Sequence, residues 1–344
     1  MEDKVAILGG GPSGLAMGCL WASHGYRVNV WVRDVDRLAR ICPPEGITVV
    51  GEQVTTFSPS LVSSDLVEVL EGVKIAIVCT PGAGHDFIAS ELQSLATDVI
   101  DDLLILLSPG RCFGALNFKA RLGSARDLIN IAEASTELHA SRIAGGKLHV
   151  YAIKKIVAVG AESRDVAERI VRSFPASIGS HYTIQDSWLP VTLSNIGYVL
   201  HCIPALQADL GLKGRYFYTE VIDREMAERL VELDKERMIT ARAIGHEVPD
   251  ICHWLHQTYE TPMAHLYEML NATDAYAEIP SPETVTHRYI TDDVPTGLVP
   301  LEAMATSAGL AVPLTSGLID QANSKLNRDF RSSGRGLPAD WRVQ

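Results

Sequence analysis

The sequence predicts an α/β domain followed by an all-α domain. Three observations carry this. A glycine turn sits between an apolar strand and a helix near the start of the chain. Short apolar runs then alternate with helical stretches through the first half. Near His181 to Leu189 the character changes: strand signals stop, and from residue 191 helical periodicity alone remains. The expected domains are 1–184 and 185–344, and a chain of 344 residues has room for two.

Residues 5–8 (Val-Ala-Ile-Leu) form the first strand. Gly9, Gly11 and Gly14 follow in a G-x-G-x-x-G pattern, with Pro12 and Ser13 inside it. Gly9 lets the chain turn sharply off the strand. Gly11 lets a pyrophosphate approach the backbone, and Gly14 lets the helix pack close to the strand. The helix N-terminus offers free N–H groups and a positive dipole end to phosphates. This helix runs to about residue 24, with Gly25 closing it. Strand two, 27–32, ends at Arg33-Asp34. Further strands are expected at 47–50, 74–78, 103–107, 128–132 and 148–159. Those that are nearly continuous apolar runs read as buried parallel strands. The pattern is that of a Rossmann dinucleotide-binding domain. Ligands in such sheets lie beyond the carboxyl ends of the strands, so residues 9–14, Arg33-Asp34, Thr80-Pro81, Pro109-Gly110 and Glu133 are expected to border one crevice. In the second half, helices are expected over 191–210, 219–244, 249–259, 262–270, 298–308 and 314–326. Pro249 and Pro262 are expected in first turns, and 274–300 reads as irregular.

Composition narrows the class. Apolar residues make up 47% and charged residues 21%, as in ordinary globular proteins. A net charge of −12 without long Lys/Arg runs disfavours a nucleic-acid partner. Met-Glu-Asp-Lys leads directly into the first strand, so no signal peptide is expected. No run of about 18 apolar residues exists, so no membrane span is expected either. Six scattered cysteines without a C-x-x-C pair point to free thiols in a cytoplasmic protein, with neither a disulfide frame nor a metal site.

The end of strand two bears on cofactor choice. An acidic residue there would hold the ribose 2′-hydroxyl of NAD, and an arginine favours the 2′-phosphate of NADP. Arg33 comes first, which favours NADPH/NADP. Asp34 keeps NADH/NAD open, because a one-residue shift would put it on the ribose.

Two stretches of the second half carry candidate chemistry. In 193–204, a continuous helix would put Ser194, Tyr198 and His201 on one face, and the histidine could exchange a proton near neutral pH. A hydrogen-bonded core histidine is the alternative. In 287–300, Pro295, Gly297 and Pro300 make a rigid turn that offers Arg288 for a carboxylate. Asp292 or Asp293 could orient a histidine; a surface loop is the alternative.

These residues resemble the opine dehydrogenases of the octopine dehydrogenase type. The resemblance covers nearly the whole chain. It is carried by the glycine turn at 9–14, Ser108-Pro109-Gly110 with Gly114-Ala115-Leu116, 133–142 with 151–154, Asn195 to His201, Arg288-Tyr289 through Pro300, and Asp329-Phe330-Arg331. It implies a Rossmann domain joined to a helical domain, and reductive condensation of an amino acid with a 2-oxo acid such as pyruvate through an imine. It further implies catalytic His201 with Asp293 as its partner, Arg288 on a substrate carboxylate, and Asn195 and Glu133 near substrate. The cofactor-binding residues would be Gly9, Gly11, Pro12, Ser13, Gly14, Arg33, Asp34, Thr80 and Pro81. A homodimer is the expected assembly. Two rivals remain: a reductase of a hydroxy acid or hydroxy phosphate such as glycerol 3-phosphate, and a non-catalytic cofactor sensor.

Overall fold

The computed structural model describes residues 3–207, 211–338 and 341. Its strands are β1 (Lys4–Leu8), β2 (Arg27–Trp31), β3 (Ile47–Gly51), β4 (Thr55–Phe57), β5 (Leu61–Ser63), β6 (Ile75–Val78), β7 (Leu103–Leu107), β8 (Ile129–Ala134), β9 (His139–Ala144), β10 (Lys147–Ile153), β11 (Val157–Ala161) and β12 (Tyr182–Ile184). The chain divides into two units. The first comprises Met1–Gly110 and Gly114–Trp188, the second Arg111–Phe113 and Leu189–Gln344.

The first unit is built on an eight-stranded sheet of order β12-β11-β8-β7-β6-β1-β2-β5. Its pairings are parallel except that of β8 with β11. From β1 the chain passes to β2 on one side and later to β6 on the other, which makes β1 the switch point where such sheets take ligands. Alternation along β1 feeds two cores. Val5 and Ile7 pack with Leu15 and Trp21 on one face; Ala6 and Leu8 pack with Ile88 and Leu92 on the other. With both faces covered, β6 and β7 are wholly buried, which explains their unbroken apolar sequence.

Three strand expectations are corrected. Residues 47–50 and the first part of 148–159 leave the main sheet and join a four-stranded sheet of order β4-β3-β10-β9. The stretch 148–159 is two strands. The chain breaks at Lys154, whose N–H donates to the Leu138 carbonyl at 2.9 Å, and β11 then enters the main sheet. Strand structure also continues past 181, because β12 pairs with β11. Three residues are too few to show a period.

The second unit is helical. The expected helix 191–210 is two, Trp188–Leu193 and Gly197–Ala205, and residues 208–210 lie outside the described residues. The Ser194 hydroxyl donates to the Pro190 carbonyl at 2.6 Å. The Asn195 side chain accepts the Gly197 N–H at 3.0 Å, a local bond that competes with helix continuation. Ser194 and His201 therefore do not share a helix face. The helix expected at 219 starts at Arg224, where Asp223 caps Met226 N–H at 2.8 Å, and residues 217–221 form a π turn instead. Pro249 and Pro262 precede their helices rather than sit in them. Asp250 caps Ile251–Tyr259, and His265 caps Leu266–Ala272.

A fully buried ion pair ties this unit together. Arg237 Nε meets Asp234 at 2.7 Å, and the other guanidinium nitrogens donate to the Leu193 and Pro249 carbonyls at 2.6 Å each. The second Asp234 oxygen accepts Ile251 N–H at 2.8 Å. Every charge is thus met, the condition under which such a pair is tolerated. Among the described residues no helix is long and apolar enough to cross a membrane.

Candidate active site

In the first unit, the glycine turn has the geometry of a phosphate cradle. Gly9 holds φ at +127°, which L side chains rarely adopt. A Cβ at Gly14 would drive into the Gly9 carbonyl oxygen, so this glycine is required by close packing. A Cβ at Gly11 would meet nothing within 4 Å, which leaves the backbone there approachable. The helix Pro12–Ser23 begins with no side-chain cap and no acid in its first turn, so its N–H groups remain for an anion. At the carboxyl ends of β6 and β7, the buried Thr80 and Ser108 hydroxyls have no hydrogen-bond partner among the described residues. Cradle and orphaned hydroxyls together fit a dinucleotide.

Arg33 is exposed just beyond β2. Asp34 caps the helix Val35–Ile41, accepting Arg37 N–H at 2.8 Å. One of its oxygens is therefore committed, while no such bond engages Arg33 among the described residues. Pro81 is the N-cap of Gly82–Gln93. Glu133 is fully buried and accepts Ala115 N–H at 2.6 Å, in the first turn of Gly114–Arg121. Gly110 packs so tightly on Glu133 that a Cβ there would overlap it. Glu133 thus anchors the turn after β7 within the first unit, whereas His201, Asp293, Arg288 and Asn195 belong to the second.

In the second unit, His201 Nδ1 lies 2.6 Å from Asp293 Oδ2, and Nε2 lies 2.9 Å from the Tyr218 hydroxyl. The ring stacks on Tyr289 at 3.9 Å and 18°. The other Asp293 oxygen meets Arg111 Nη1 at 2.5 Å, and Arg111 Nη2 pairs with Asp292 at 2.9 Å. Arg288 opens the short helix Arg288–Thr291, half-buried, its guanidinium 5.9 Å from the Tyr289 ring. The Asn195 side-chain oxygen accepts Gly197 N–H. These groups converge on Gly197, where a Cβ would lie 3.1 Å from Arg111 Nη1, 3.2 Å from Asn195 Oδ1 and 3.6 Å from His201 Cε1.

Burial pushes the His201 pKa down. Asp293 pulls it back only in part, and Arg111 and Arg288 add to the lowering. The imidazole is therefore neutral at pH 7. Its Nδ1–H donates to Asp293, which leaves the Nε2 lone pair to accept from Tyr218. Burial alone would raise Asp293, but Arg111, His201 and Arg288 together hold it below the usual carboxylate range, so it stays ionised. A neutral imidazole fixed by a carboxylate can take a proton and have the imidazolium balanced.

Sequence reasoning did not single out Arg111, and it gave Asp292 and Tyr218 no definite role. The signal for Arg111 was a lone cation between a turn and apolar residues. Arg111 and Phe113 hold φ at +64° and +56°. Such conformations cost a non-glycine residue about 1–3 kcal/mol and persist only when the surroundings enforce them. Here Cys112 N–H donates to the Thr296 carbonyl at 3.0 Å, Phe113 N–H to the Thr192 hydroxyl at 3.1 Å, and Arg335 to the Cys112 carbonyl at 2.9 Å. Among the described residues, no group of three or more His, Cys, Asp or Glu could hold a metal ion.

Comparison with known proteins adds to this geometry. Residues 184–326 match the family described as NAD/NADP octopine/nopaline dehydrogenase, alpha-helical domain. The chain is 29% identical over 345 residues to an opine dehydrogenase of Arthrobacter sp. (strain 1C), covering 98% of this chain and 95% of that protein. It is similar in fold to octopine dehydrogenase solved with NADH and L-arginine: TM-score 0.71, 21% identity, covering 97% of this chain and 93% of the other. It is likewise similar in fold to yersinopine dehydrogenase with NADP+ bound: TM-score 0.72, 13% identity, with the same coverage of both.

Proposed function

We propose that this chain, which belongs to the opine dehydrogenase family, joins the amine of an amino acid to the carbonyl of a 2-oxo acid by NAD(P)H-dependent reduction of the imine. The observation that carries the reading is the His201–Asp293 pair, held at 2.6 Å in a unit that matches the octopine/nopaline dehydrogenase domain. The region up to about residue 184 is the nucleotide-binding domain and the remainder the substrate domain. The glycine turn, Arg33, Thr80 and Pro81 hold the cofactor, which supplies the hydride to the imine carbon.

The protein's own groups handle protons and charge. Neutral His201 accepts a proton from the amino acid's ammonium, which frees the nitrogen to attack the carbonyl carbon. Addition moves a second nitrogen proton to the oxygen. The imidazolium, balanced by Asp293, returns its proton to that hydroxyl, which leaves as water and yields the protonated imine. Arg288 holds a substrate carboxylate, and Asn195 and Glu133 support the substrate region. The test is a matrix of amino acids against 2-oxo acids, pyruvate first, with NADPH or NADH consumption as the readout. Reduction of a 2-oxo acid without added amine would favour the hydroxy-acid reductase instead, and binding without turnover would leave a sensor. The scattered free thiols agree with a cytoplasmic protein. A homodimer would show as twice the 37.4 kDa chain mass in light scattering.

Two substitutions test the binding roles. Arg33→Ser is expected to weaken NADPH more than NADH, by roughly ten- to a hundredfold, the value of a lost charge-assisted phosphate contact. Equal losses, or a wild type that already prefers NADH, would remove Arg33 from the phosphate. Arg288→Lys keeps the charge but loses the two-pronged hydrogen-bond fork. The KM of one substrate should rise well above any change for the cofactor. Unchanged KM and kcat would make Arg288 a bystander.

A further inference from the structure

We propose that Tyr218 is a further catalytic residue, whose hydroxyl touches substrate and relays the proton between it and His201 Nε2. The inference rests on the opine dehydrogenase reading. Both His201 nitrogens are engaged, Nδ1 by Asp293 and Nε2 by the Tyr218 hydroxyl at 2.9 Å. Tyr289 covers one ring face at 3.9 Å, and Phe217 meets the ring at 6.1 Å and 61°. The Tyr218 hydroxyl is thus the group hydrogen-bonded at Nε2, the nitrogen that must gain the proton.

Tyr218 is held in that position. Its ring stacks on Tyr276 at 3.9 Å and 12° and meets Phe217 edge-on at 5.0 Å, while Tyr276 is itself edge-on to Tyr259 at 5.3 Å. Swinging aside would break these contacts, whereas a relay needs no movement of the ring. A tyrosine hydroxyl donates and accepts at once. As the ammonium proton passes to the Tyr218 oxygen, the hydroxyl's own proton passes to Nε2. Tyrosine ends neutral, the imidazole becomes an imidazolium, and the substrate nitrogen gains its lone pair. The reverse transfer delivers the proton to the leaving hydroxyl.

Tyr218→Phe keeps the stacked ring and removes the hydroxyl. The charged or titratable groups facing His201 from all sides (Asp293, Asp292, Arg111, Arg288, Tyr289, His287 and the buried Cys202) are untouched. We expect kcat for amine-dependent turnover to fall about 100-fold, the lower end for a positioned proton-transfer group, with KM values nearly unchanged. In the cofactor-free protein, the His201 pKa read by NMR should rise, because the neutral ring loses its donor. The wild-type proton inventory in mixed light and heavy water should bow, since two protons move together. Unchanged or increased kcat overturns the proposal. So does a fall in kcat without a shift in the His201 titration, which a merely structural role would give. If the variant does not fold, a linear wild-type inventory overturns it and a bowed one upholds it. A wild type that shows no amine-dependent turnover overturns the functional reading itself, a result visible before any variant is made.

Discussion

His201→Ala is expected to cut turnover about 10²- to 10⁴-fold, the usual value of a positioned acid–base group, while nucleotide affinity stays nearly intact. The reason is local. The glycine cradle belongs to the first unit and His201 to the second, so the substitution removes the proton carrier and leaves the cradle's backbone alone. Asp293→Asn should also lower turnover strongly, because an amide can stabilise the wrong tautomer and cannot balance an imidazolium. The pair shares one short hydrogen bond, so the losses should be far from additive. The measurement is kcat for both single variants and the double, with cofactor Kd from fluorescence. A double loss equal to the product of the single losses would show that the two do not act as a unit. A correctly folded His201→Ala protein that keeps most of its activity would make His201 a core residue. The pH profile follows from the lowered His201 pKa. Oxidation of the product needs the neutral ring, and a depressed pKa keeps that form present as pH falls. The acidic limb of oxidation should therefore lie below about 6.5, the ordinary histidine value. A limb above it would contradict the assigned electrostatics.

Arg111→Ala should be the most destabilising of the site substitutions. Arg111 is the cation between Asp292 and Asp293, which are 3% and 1% exposed. Removing it takes the cation from between two buried carboxylates, and breaking such a buried pair costs roughly 3–5 kcal/mol. For a protein of 344 residues that is a fall in Tm of roughly 4–7 °C. The sign with pH is definite. Against burial, which alone would raise it, Arg111 helps hold the Asp293 carboxyl below the usual range, so the stability Arg111 contributes through it is present above the unfolded carboxylate value and is lost as pH falls; the cost of removing Arg111 is therefore full near neutrality and shrinks toward acid. Melting curves at pH 7 and pH 5 test both parts. A Tm within a degree or two of wild type at pH 7 would mean that Arg111 does not neutralise the pair. Activity should fall with stability, because Asp293 would lose the partner that holds it ionised for His201.

The sequence by itself determined what depends on neighbours along the chain. The glycine turn is legible because Gly9, Gly11 and Gly14 answer local demands of φ, approach and packing. The buried strands β6 and β7 are legible because being covered on both faces demands unbroken apolar runs. His201, Arg288 and Asp293 stood out through irregular motifs that resemble a family. Where several local signals competed, the reading slipped. Asn195 interrupts a run that periodicity extends, and β10 and β11 share one apolar stretch although they serve different sheets. Only the tertiary structure decided which distant residues meet. Arg111 lies 182 positions from Asp293 and pairs with it because residues 111–113 belong to the second unit. Tyr218 reaches His201 from a π turn, a form without a sequence period. Asp34 and Glu133, both read as ligand-facing, have oxygens committed to the N–H groups at helix starts, because an acid near such a start satisfies donors that would otherwise be unpaired. Patterns along a chain record the solvent and backbone demands on each residue. The partners of a buried charge are set by how the chain folds back on itself, and no spacing in the sequence encodes them.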